Sequence, residues 1–264
     1  MFQSIKNYVD EQKLILKGHC ENYSIGLVII QVGDNPASNS YIKGKIKDCT
    51  EVGINYKHIK LDENITEKKL LKIIKKYNRN KLYNGIIVQL PLPDHISEEK
   101  VKLAINPKKD VDGFHPLSKF KPCTPLGIMS YLMDQGVHFC GLHAVVIGRS
   151  NIVGKPMAKM LLEKNCTVTI LHSKSTIEDI RSEVAKADII IVATGKMHLL
   201  TDKYKFKEDA IVIDVGINRG TDGKLHGDCD PNLPVGFQSP VPGGVGLLTR
   251  LALLSNTINA KFND

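Results

Sequence analysis

The 264-residue sequence lacks the features of membrane-spanning and disulfide-stapled chains. No stretch approaches the roughly 18 consecutive apolar residues that a membrane helix needs. The first residues mix charged and apolar side chains without a secretory signal's apolar core, so we expect Met1 to be the mature start. The six cysteines are scattered, with no CxxC pair and no Cys/His cluster at zinc spacing. We therefore expect reduced thiols in a cytoplasmic protein without a metal site.

The sequence also lacks a basic stripe interleaved with aromatic residues, although its formal net charge is +8. Most of the basic residues are lysines, spread singly or in short clusters, which is typical of a solvated surface. A second interpretation is a positive field that attracts polyanionic small molecules. A basic nucleic-acid-binding protein is the weaker alternative, and it would show salt-sensitive retention on DNA.

Apolar runs alternate with amphipathic stretches from about residue 25 onward, and no repeat of 20 to 50 residues interrupts them. The predicted strands cover residues 25–32, 85–90, 143–147, 167–171, 189–193 and 211–215. The predicted helices cover residues 38–52, 67–76, 154–164, 177–187 and 248–260. This alternation predicts an α/β protein whose parallel sheets are covered on both faces. Prolines between residues 91 and 125 separate two such series, which predicts a hinge at about 113–125.

A glycine-punctuated loop, VVIGRSNIVGKP at residues 145–156, follows one predicted strand and opens a predicted helix. Gly148 permits a tight turn, Gly154 permits close helix packing, and the helix N-terminus offers N–H groups to phosphate. Its spacing is GxSxxxG instead of GxGxxG. A dinucleotide site and a simple turn between two packed elements therefore both remain open.

The end of the next strand indicates which dinucleotide would bind. An NAD site usually places a carboxylate about 20 residues after the loop, where it binds the ribose 2′-hydroxyl. This sequence has Leu171, a histidine, Ser173 and Lys174 there, without a carboxylate. Arg149 and Ser173, with Lys174 beside them, suit a 2′-phosphate, which favours NADP.

The first half contains polar residues that are ambiguous one at a time. Tyr41 and Lys45 are four residues apart, hence on one helix face, as surface pairs often are. Gln89 ends a predicted buried strand, where open α/β sheets bind ligands. Asp112 lies in an Asp-Gly turn, which by itself is usually only a turn.

Taken together, these segments resemble one family. The blocks that carry the resemblance, in order, are VGDNPASNSYIKGKIKDCTEVGI, GIIVQLPLP, KDVDGFHP, PCTPLGI, VIGRSNIVGKPMA, TVTILHS, ATGK, IDVGIN and PVPGGVG. They are similar to the signature blocks of the methylenetetrahydrofolate dehydrogenase/methenyltetrahydrofolate cyclohydrolase family, and they run from about residue 25 to the C-terminus.

The resemblance implies a two-domain α/β fold with a substrate cleft between the domains. Residues 1–119 with 247–264 would form the catalytic, folate-binding domain, and residues 120–246 a Rossmann-type NADP-binding domain. It implies oxidation of 5,10-methylenetetrahydrofolate with NADP, then hydrolysis of the methenyl product to 10-formyltetrahydrofolate. A homodimer, serving one-carbon metabolism and purine biosynthesis, would be the expected form.

The resemblance also assigns roles to residues. Lys45 would be the central acid/base group and Gln89 its polar partner, Tyr41 would stack on the folate, and Asp112 would anchor the pterin. The positions that would bind the cofactor are Gly148, Arg149, Ser150, Ser173 and Ile217. A neutral glutamine can hold a lysine without quenching it, and an aspartate can accept both donors of an aminopyrimidine edge.

Three departures from the family pattern concern the N-terminus, one connection and one turn. The leading segment is short, and only residues 117–121 join His115-Pro116 to Pro122-Cys123. Leu247 stands where the family has proline, in the expected first turn of the closing helix. If its N–H has no partner there, Leu247→Pro should stabilise the fold by about 0.4–1 kcal/mol and tighten folate binding. A member with one activity, or an NADP oxidoreductase with another small substrate, is the alternative function.

Overall fold

The computed structural model describes residues 2–262. Within them the chain forms two compact units. The first unit comprises residues 10–123 and 250–262, and the second comprises residues 2–9 and 124–249.

The N-terminal part of the chain builds a parallel three-stranded sheet with helices. Its elements are α1 (Ile5–Glu21), β1 (Gly26–Val32), α2 (Pro36–Val52), β2 (Asn55–Leu61), α3 (Glu67–Asn78), β3 (Gly85–Val88) and α4 (Glu98–Ala104). The strand order is β2-β1-β3. Every residue of β1 and β3 is buried, because β1 is the central strand and β3 is a short apolar run.

Helix α2 carries candidate site residues, and its ends are defined by local chemistry. The Asn35 side chain accepts hydrogen bonds from the N–H groups of Ala37 and Ser38, and Pro36 occupies the first turn. The helix ends at Gly53, which adopts the left-handed conformation with φ 85°. Its buried residues recur every three or four positions and are Ser38, Ile42, Lys45, Asp48, Cys49 and Val52. This periodicity places Lys45 on the buried face.

The rest of the chain builds a larger parallel sheet. Its elements are α5 (Cys123–Asp134), β4 (His143–Ile147), α6 (Gly154–Glu163), β5 (Thr167–Leu171), α7 (Ile177–Val184), β6 (Ile189–Val192), β7 (Ile211–Asp214), β8 (Asn218–Arg219), β9 (Leu225–His226), β10 (Phe237–Gln238) and α8 (Val245–Asn259). The five-stranded order is β10-β7-β6-β4-β5, with every pairing parallel. The order reverses between β4 and β6, the point at which such sheets bind nucleotides. The predicted two-domain α/β fold with a Rossmann-type second domain is confirmed.

Several elements were not predicted from the sequence. Strand β2 is polar and exposed at many positions because it is an edge strand, where lysines deter further pairing. Helix α5 starts at Cys123, inside the proline-containing segment 113–125 that was predicted to be a hinge. Pro125 lies in the first turn of α5, where proline is tolerated because the N–H there needs no intrahelical acceptor.

The N-terminal residues differ from the predicted domain assignment. The prediction placed residues 1–119 together, whereas the structure groups residues 2–9 with 124–249. Tyr131 donates its hydroxyl to the carbonyl of Gln3 at 2.5 Å, and Tyr8 donates its hydroxyl to Asp134 at 2.6 Å. Helix α1 therefore begins against α5, although most of its length belongs to the first unit.

The short connection at residues 117–121 folds back onto the turn that contains Asp112. Gly113 has φ 74°, and a Cβ there would lie 2.6 Å from the carbonyl carbon of Lys121. Asn256, on α8, donates from Nδ2 to the carbonyls of Val111 at 2.9 Å and Lys121 at 3.2 Å. Glycine is thus required at 113 both by its backbone conformation and by the returning chain.

The hypothesis about Leu247 was wrong in its physical premise. Helix α8 begins at Val245, and the Leu247 N–H donates to the carbonyl of Gly244 at 2.9 Å. A proline at 247 would remove this hydrogen bond, so the expected stabilisation does not follow from the local geometry.

We predict that Gly113→Ala destabilises the first unit more than Gly53→Ala does. Both glycines have positive φ, so an alanine costs about 1–2 kcal/mol at either position. At Gly53 the new Cβ would make only an ordinary contact with Cys20 at 3.6 Å, whereas at Gly113 it would overlap the Lys121 backbone. Overpacking adds about 1–3 kcal/mol. Equal losses of unfolding free energy in urea would show that the connection can move aside.

We predict that Leu247→Pro leaves stability unchanged or lowers it by up to about 1 kcal/mol. The loss of one hydrogen bond, about 0.5–1.5 kcal/mol, offsets the gain from a stiffer unfolded chain. Leu247→Ala is the control, because it truncates the same side chain and keeps the N–H. A thermal melt in which the proline variant is the most stable of the three proteins would contradict this account.

Candidate functional site

Lys45 and Gln89 form the centre of the candidate site in the first unit. Lys45 is 7% exposed, and its Nζ donates to Gln89 Oε1 at 3.0 Å. Gln89 follows β3, where its backbone N–H donates to the carbonyl of Ile30 at 2.8 Å. Its Nε2 donates to the carbonyl of Leu90 at 2.7 Å, which directs Oε1 at the lysine. A lysine side chain is therefore buried against a neutral acceptor instead of a carboxylate.

Tyr41 lies one helical turn before Lys45 and is half-buried. Burial raises the pKa of Tyr41, and the charge of Arg250 partly offsets that rise. The ring is therefore a neutral phenol at physiological pH, with a partly accessible surface. Such a ring can stack on a flat aromatic ligand.

Arg250 is a residue that the sequence analysis missed. It lies on α8, and its Nε donates to Asp48 Oδ2 at 2.6 Å. A Cβ at Gly44 would come within 2.2 Å of Arg250 Nη1, so the guanidinium occupies the space that a side chain at Gly44 would fill. Asp48 is 1% exposed and also pairs with Lys13. In the sequence, the feature that could have indicated this contact is Gly44, a glycine inside a predicted helix, one turn before Asp48.

Asp112 lies in the turn that the short connection closes. Burial raises the pKa of the Asp112 carboxyl, while the charge of Lys45 and a hydrogen bond from the Cys123 thiol act to lower it. The same turn is fixed by Asp110, which is 1% exposed and accepts from the His115 N–H at 2.7 Å. The first unit thus brings Lys45, Gln89 and Asp112 into one electrostatic environment, with Tyr41 one turn away on α2.

The glycine loop of the second unit has the close approaches expected of a dinucleotide turn. Gly148 has φ 131°, and a Cβ there would lie 2.3 Å from the carbonyl oxygen of Ala193. A Cβ at Gly154 would lie 2.2 Å from the carbonyl oxygen of Gly148. Any larger residue at either position would push the turn away from the helix or from β6. The loop can therefore be both a tight turn between two packed elements and a loop that binds a dinucleotide.

Ser150 closes the start of α6. Its Oγ accepts from the N–H groups of Val153 at 3.2 Å and Gly154 at 3.3 Å, and its carbonyl accepts from Lys155 at 3.0 Å. The expectation that these helical N–H groups stand unpaired is thus wrong, because Ser150 already binds them. Side chains of the loop must supply the remaining contacts to an anion.

A cavity of about 350 Å³ opens at the carboxyl ends of β4, β5 and β6. Four of the residues predicted to bind the cofactor line this cavity. Gly148, Arg149 and Ser150 lie on one side of it, and Ser173 lies after the end of β5. None of the residues lining this cavity is acidic. Lys174 and Ile217 are exposed and do not line it; Ile217 follows β7 instead.

The cavity also contains residues that the sequence analysis did not single out. Thr194 and Lys196 line it from the segment after β6, and His172 lines it from the position directly after β5. The sequence feature that could have identified Thr194 and Lys196 is the ATGK block. It includes the residues that directly follow an apolar strand, and the carboxyl ends of parallel strands are where ligands bind. Lys196 adds a second cationic side chain opposite an expected polyanion.

The part of the chain that the structure describes contains no group of three or more His, Cys, Asp and Glu side chains suited to a metal ion. Among the same residues, no helix has both the length and the apolarity needed to cross a membrane. All six cysteines are free, and only Cys140 is exposed.

Two family models match this chain. The model described as "Tetrahydrofolate dehydrogenase/cyclohydrolase, catalytic domain" matches residues 1–112. The model described as "Tetrahydrofolate dehydrogenase/cyclohydrolase, NAD(P)-binding domain" matches residues 122–264. Among curated proteins, the bifunctional protein FolD of Streptococcus thermophilus is 49% identical over 251 residues, 90% of this chain and 87% of the relative. The FolD of Oceanobacillus iheyensis is 49% identical over 252 residues with the same coverage.

Solved structures match over nearly the whole chain. The bifunctional enzyme FolD, methylenetetrahydrofolate dehydrogenase/cyclohydrolase, of Campylobacter jejuni superposes with a TM-score of 0.93 at 42% identity, covering 98% of this chain and 97% of that one. The Trypanosoma brucei methylenetetrahydrofolate dehydrogenase-cyclohydrolase, solved with NADP and an inhibitor, also gives a TM-score of 0.93 at 29% identity, covering 99% of this chain and 97% of that one.

We predict that Arg149→Ala weakens binding of NADP much more than binding of NAD. Removal of a charge-assisted contact to phosphate costs about 1.5–3 kcal/mol, or roughly ten- to over a hundredfold in affinity. NAD lacks the 2′-phosphate and should lose little. Isothermal titration with both cofactors measures the difference, and Arg181→Ala on the outer helix α7 is the matched control. An equal loss for both cofactors would show that Arg149 does not contact the 2′-phosphate.

Proposed function

The chain belongs to the tetrahydrofolate dehydrogenase/cyclohydrolase family, and from that premise we propose that it carries out both of the family's reactions. It oxidises 5,10-methylenetetrahydrofolate to 5,10-methenyltetrahydrofolate with NADP and then hydrolyses the product to 10-formyltetrahydrofolate. The single observation that supports the hydrolytic half best is the buried Lys45 held by the neutral Gln89.

The second unit supplies the cofactor site. NADP, when bound, accepts the hydride that leaves the methylene carbon of the folate. The cavity at the ends of β4, β5 and β6 fits its phosphates, because Arg149 and Lys196 are cationic and no acidic side chain lines the wall. Arg149 and Ser173 bind the 2′-phosphate in this proposal, and Gly148 lets the backbone approach the pyrophosphate. Ile217, which follows β7, contributes outside this cavity.

The first unit supplies the proton chemistry of hydrolysis. Water adds to the cationic methenyl carbon and loses one proton, which leaves a hydroxyl on that carbon. The carbon–N5 bond then breaks as N5 takes up a proton and the hydroxyl loses its own to become the formyl carbonyl, so that one proton is released overall. Lys45 Nζ is the group that can exchange these protons, since it is buried and bonded to one neutral acceptor. A carboxylate in place of Gln89 would hold the ammonium proton more tightly, so the neutral amide matters.

Tyr41 and Asp112 bind the folate in this proposal. The half-buried phenol of Tyr41 stacks on the flat part of the substrate, one turn from Lys45 on α2. The Asp112 carboxylate accepts the N–H donors of the aminopyrimidine edge. Burial disfavours its charged form, as its raised pKa shows, and two such donors would restore it.

The setting of the enzyme follows from the same proposal. We expect a homodimer in the cytoplasm that supplies 10-formyltetrahydrofolate for purine biosynthesis. A member with only one activity, or an NADP oxidoreductase for another small substrate, is the alternative. The presence of both the lysine–glutamine pair and the cofactor cavity favours two activities. Following absorbance with methylenetetrahydrofolate and either NADP or NAD, and separately with the methenyl substrate alone, tests both halves.

We predict that Lys45→Met abolishes methenyl hydrolysis and leaves NADP affinity nearly unchanged. Methionine fills a similar volume but has no proton to exchange, and the cofactor cavity belongs to the other unit. Lys43→Met is the matched control, because Lys43 lies two residues away on the exposed face of α2. Hydrolysis at the wild-type rate in the Lys45 variant would refute the assignment, whatever the dehydrogenase rate.

A further inference from the structure

Asp228 is a completely buried carboxylate that none of the motifs explains. It is 0% exposed. Its Oδ2 accepts from the Thr194 N–H at 2.6 Å, the Thr194 hydroxyl at 2.9 Å and the Gly195 N–H at 3.0 Å. Its Oδ1 accepts from Asn218 Nδ2 at 2.9 Å. One side chain therefore accepts four hydrogen bonds, three at Oδ2 and one at Oδ1.

These donors come from two strand ends that the sheet brings together. Thr194 and Gly195 follow β6, and Thr194 lines the cofactor cavity. Asn218 begins β8, two residues after Gly216 in the segment that follows β7. A Cβ at Gly216 would lie 2.2 Å from Asp228 Oδ1, so that segment packs directly on the carboxylate. Asp228 thus links the cavity wall after β6 to the segment that contains Ile217.

The burial of Asp228 next to a second carboxylate lowers the stability of the fold, which argues for a specific role. Asp214, 2% exposed, lies beside Asp228 and accepts from the N–H groups of Asp228 at 3.0 Å, Cys229 at 2.8 Å and Gly216 at 2.8 Å. Burial raises the pKa of the Asp214 carboxyl. Burying two carboxylates side by side costs desolvation energy, and apolar side chains of the same volume would fill this space with less cost. What the carboxylates add is a fixed backbone geometry.

We propose that Asp228 is a positioning residue of the dehydrogenase reaction, which holds Thr194 and Gly195 in the conformation that receives the nicotinamide cofactor. It acts through the backbone of these two residues and through Asn218, and it presents no atom to the cofactor itself. This inference rests on the proposed function of the cavity as the NADP site.

The first experiment compares the two activities of Asp228→Asn. The amide keeps the shape of the side chain but turns an N–H donor toward either the Thr194 and Gly195 donors or the Asn218 amide. We expect KM and Kd for NADP to rise roughly tenfold to a hundredfold, as for a buried group that loses its partners. Hydrolysis of the methenyl substrate should stay within about twofold of wild type, because Lys45 and Gln89 belong to the other unit.

The second experiment needs no cofactor and separates this inference from the proposed function. Hydrogen exchange of the cofactor-free protein should accelerate at the amides of Thr194 and Gly195 in Asp228→Asn, because their charged acceptor becomes either a weaker neutral oxygen or an N–H donor. Faster exchange with unchanged NADP affinity would mean that Asp228 orders the segment but does not position the cofactor, which overturns the inference. If wild-type protein with normal exchange bound no NADP, the proposed function would fail instead.

Two further variants make the test specific. Asp230→Asn, two residues away, is the control, since Asp230 pairs with His198 and does not contact Thr194 or Gly195. It should leave KM for NADP unchanged. Asn218→Ala removes one of the four donors and should raise KM for NADP by about two- to tenfold. This variant serves as the test in place of Asp228→Asn if the Asp228 variant does not fold. Parallel loss of both activities in the Asn218 and Asp228 variants would show a purely structural role and refute the inference.

Discussion

The chemistry of the first unit depends on a buried cation that has no buried anion as its direct partner. Lys45 is bonded to the amide oxygen of Gln89 at 3.0 Å, although charges are seldom buried in this way. A carboxylate partner would stabilise the ammonium more strongly, and the lysine would then release its proton less readily. The Lys45–Gln89 pair therefore buries a positive charge without a direct countercharge, which is the feature that the proposed hydrolysis uses.

A second cation beside α2, Arg250 of α8, is bound in the opposite way. The guanidinium of Arg250 lies over Gly44, and its Nε donates to Asp48, which also pairs with Lys13. Here the buried carboxylate neutralises the positive charges that surround it. Asp48 and Lys45 lie three residues apart on the buried side of α2. The charge of Asp48 is paired with two cations, whereas the charge of Lys45 is bonded to a neutral amide. That contrast distinguishes a structural ion pair from a group able to act on a substrate.

Much of the fold could be predicted because its central strands are uniform apolar runs. Strands β4 and β5 have the predicted bounds, since each is a short apolar or β-branched segment between polar turns. Periodicity gave little information for β2, where an edge position makes lysines acceptable, or for α5, where Pro125 was taken as a break. In the site, Lys45, Gln89 and the glycine loop were found because each lies in a block that resembles the family, although Lys45 and Gln89 are 44 residues apart. Arg250 and Asp228 were missed because Asp48 is 202 residues from Arg250 and Thr194 is 34 residues from Asp228, and no local pattern encodes such contacts.

The second unit must place carboxylates close to a site for a polyanion without repelling it. No acidic side chain lines the cofactor cavity, yet Asp214 and Asp228 are buried near the ends of β6 and β7. Asp214 accepts hydrogen bonds from three backbone N–H groups, and Asp228 accepts from two backbone N–H groups, the Thr194 hydroxyl and the Asn218 amide. Those donors offset the negative charge locally. The acids can therefore fix the loops, while the cavity is lined by the cations Arg149 and Lys196. In the proposed function, these two cations set the sign of the field that the cofactor meets.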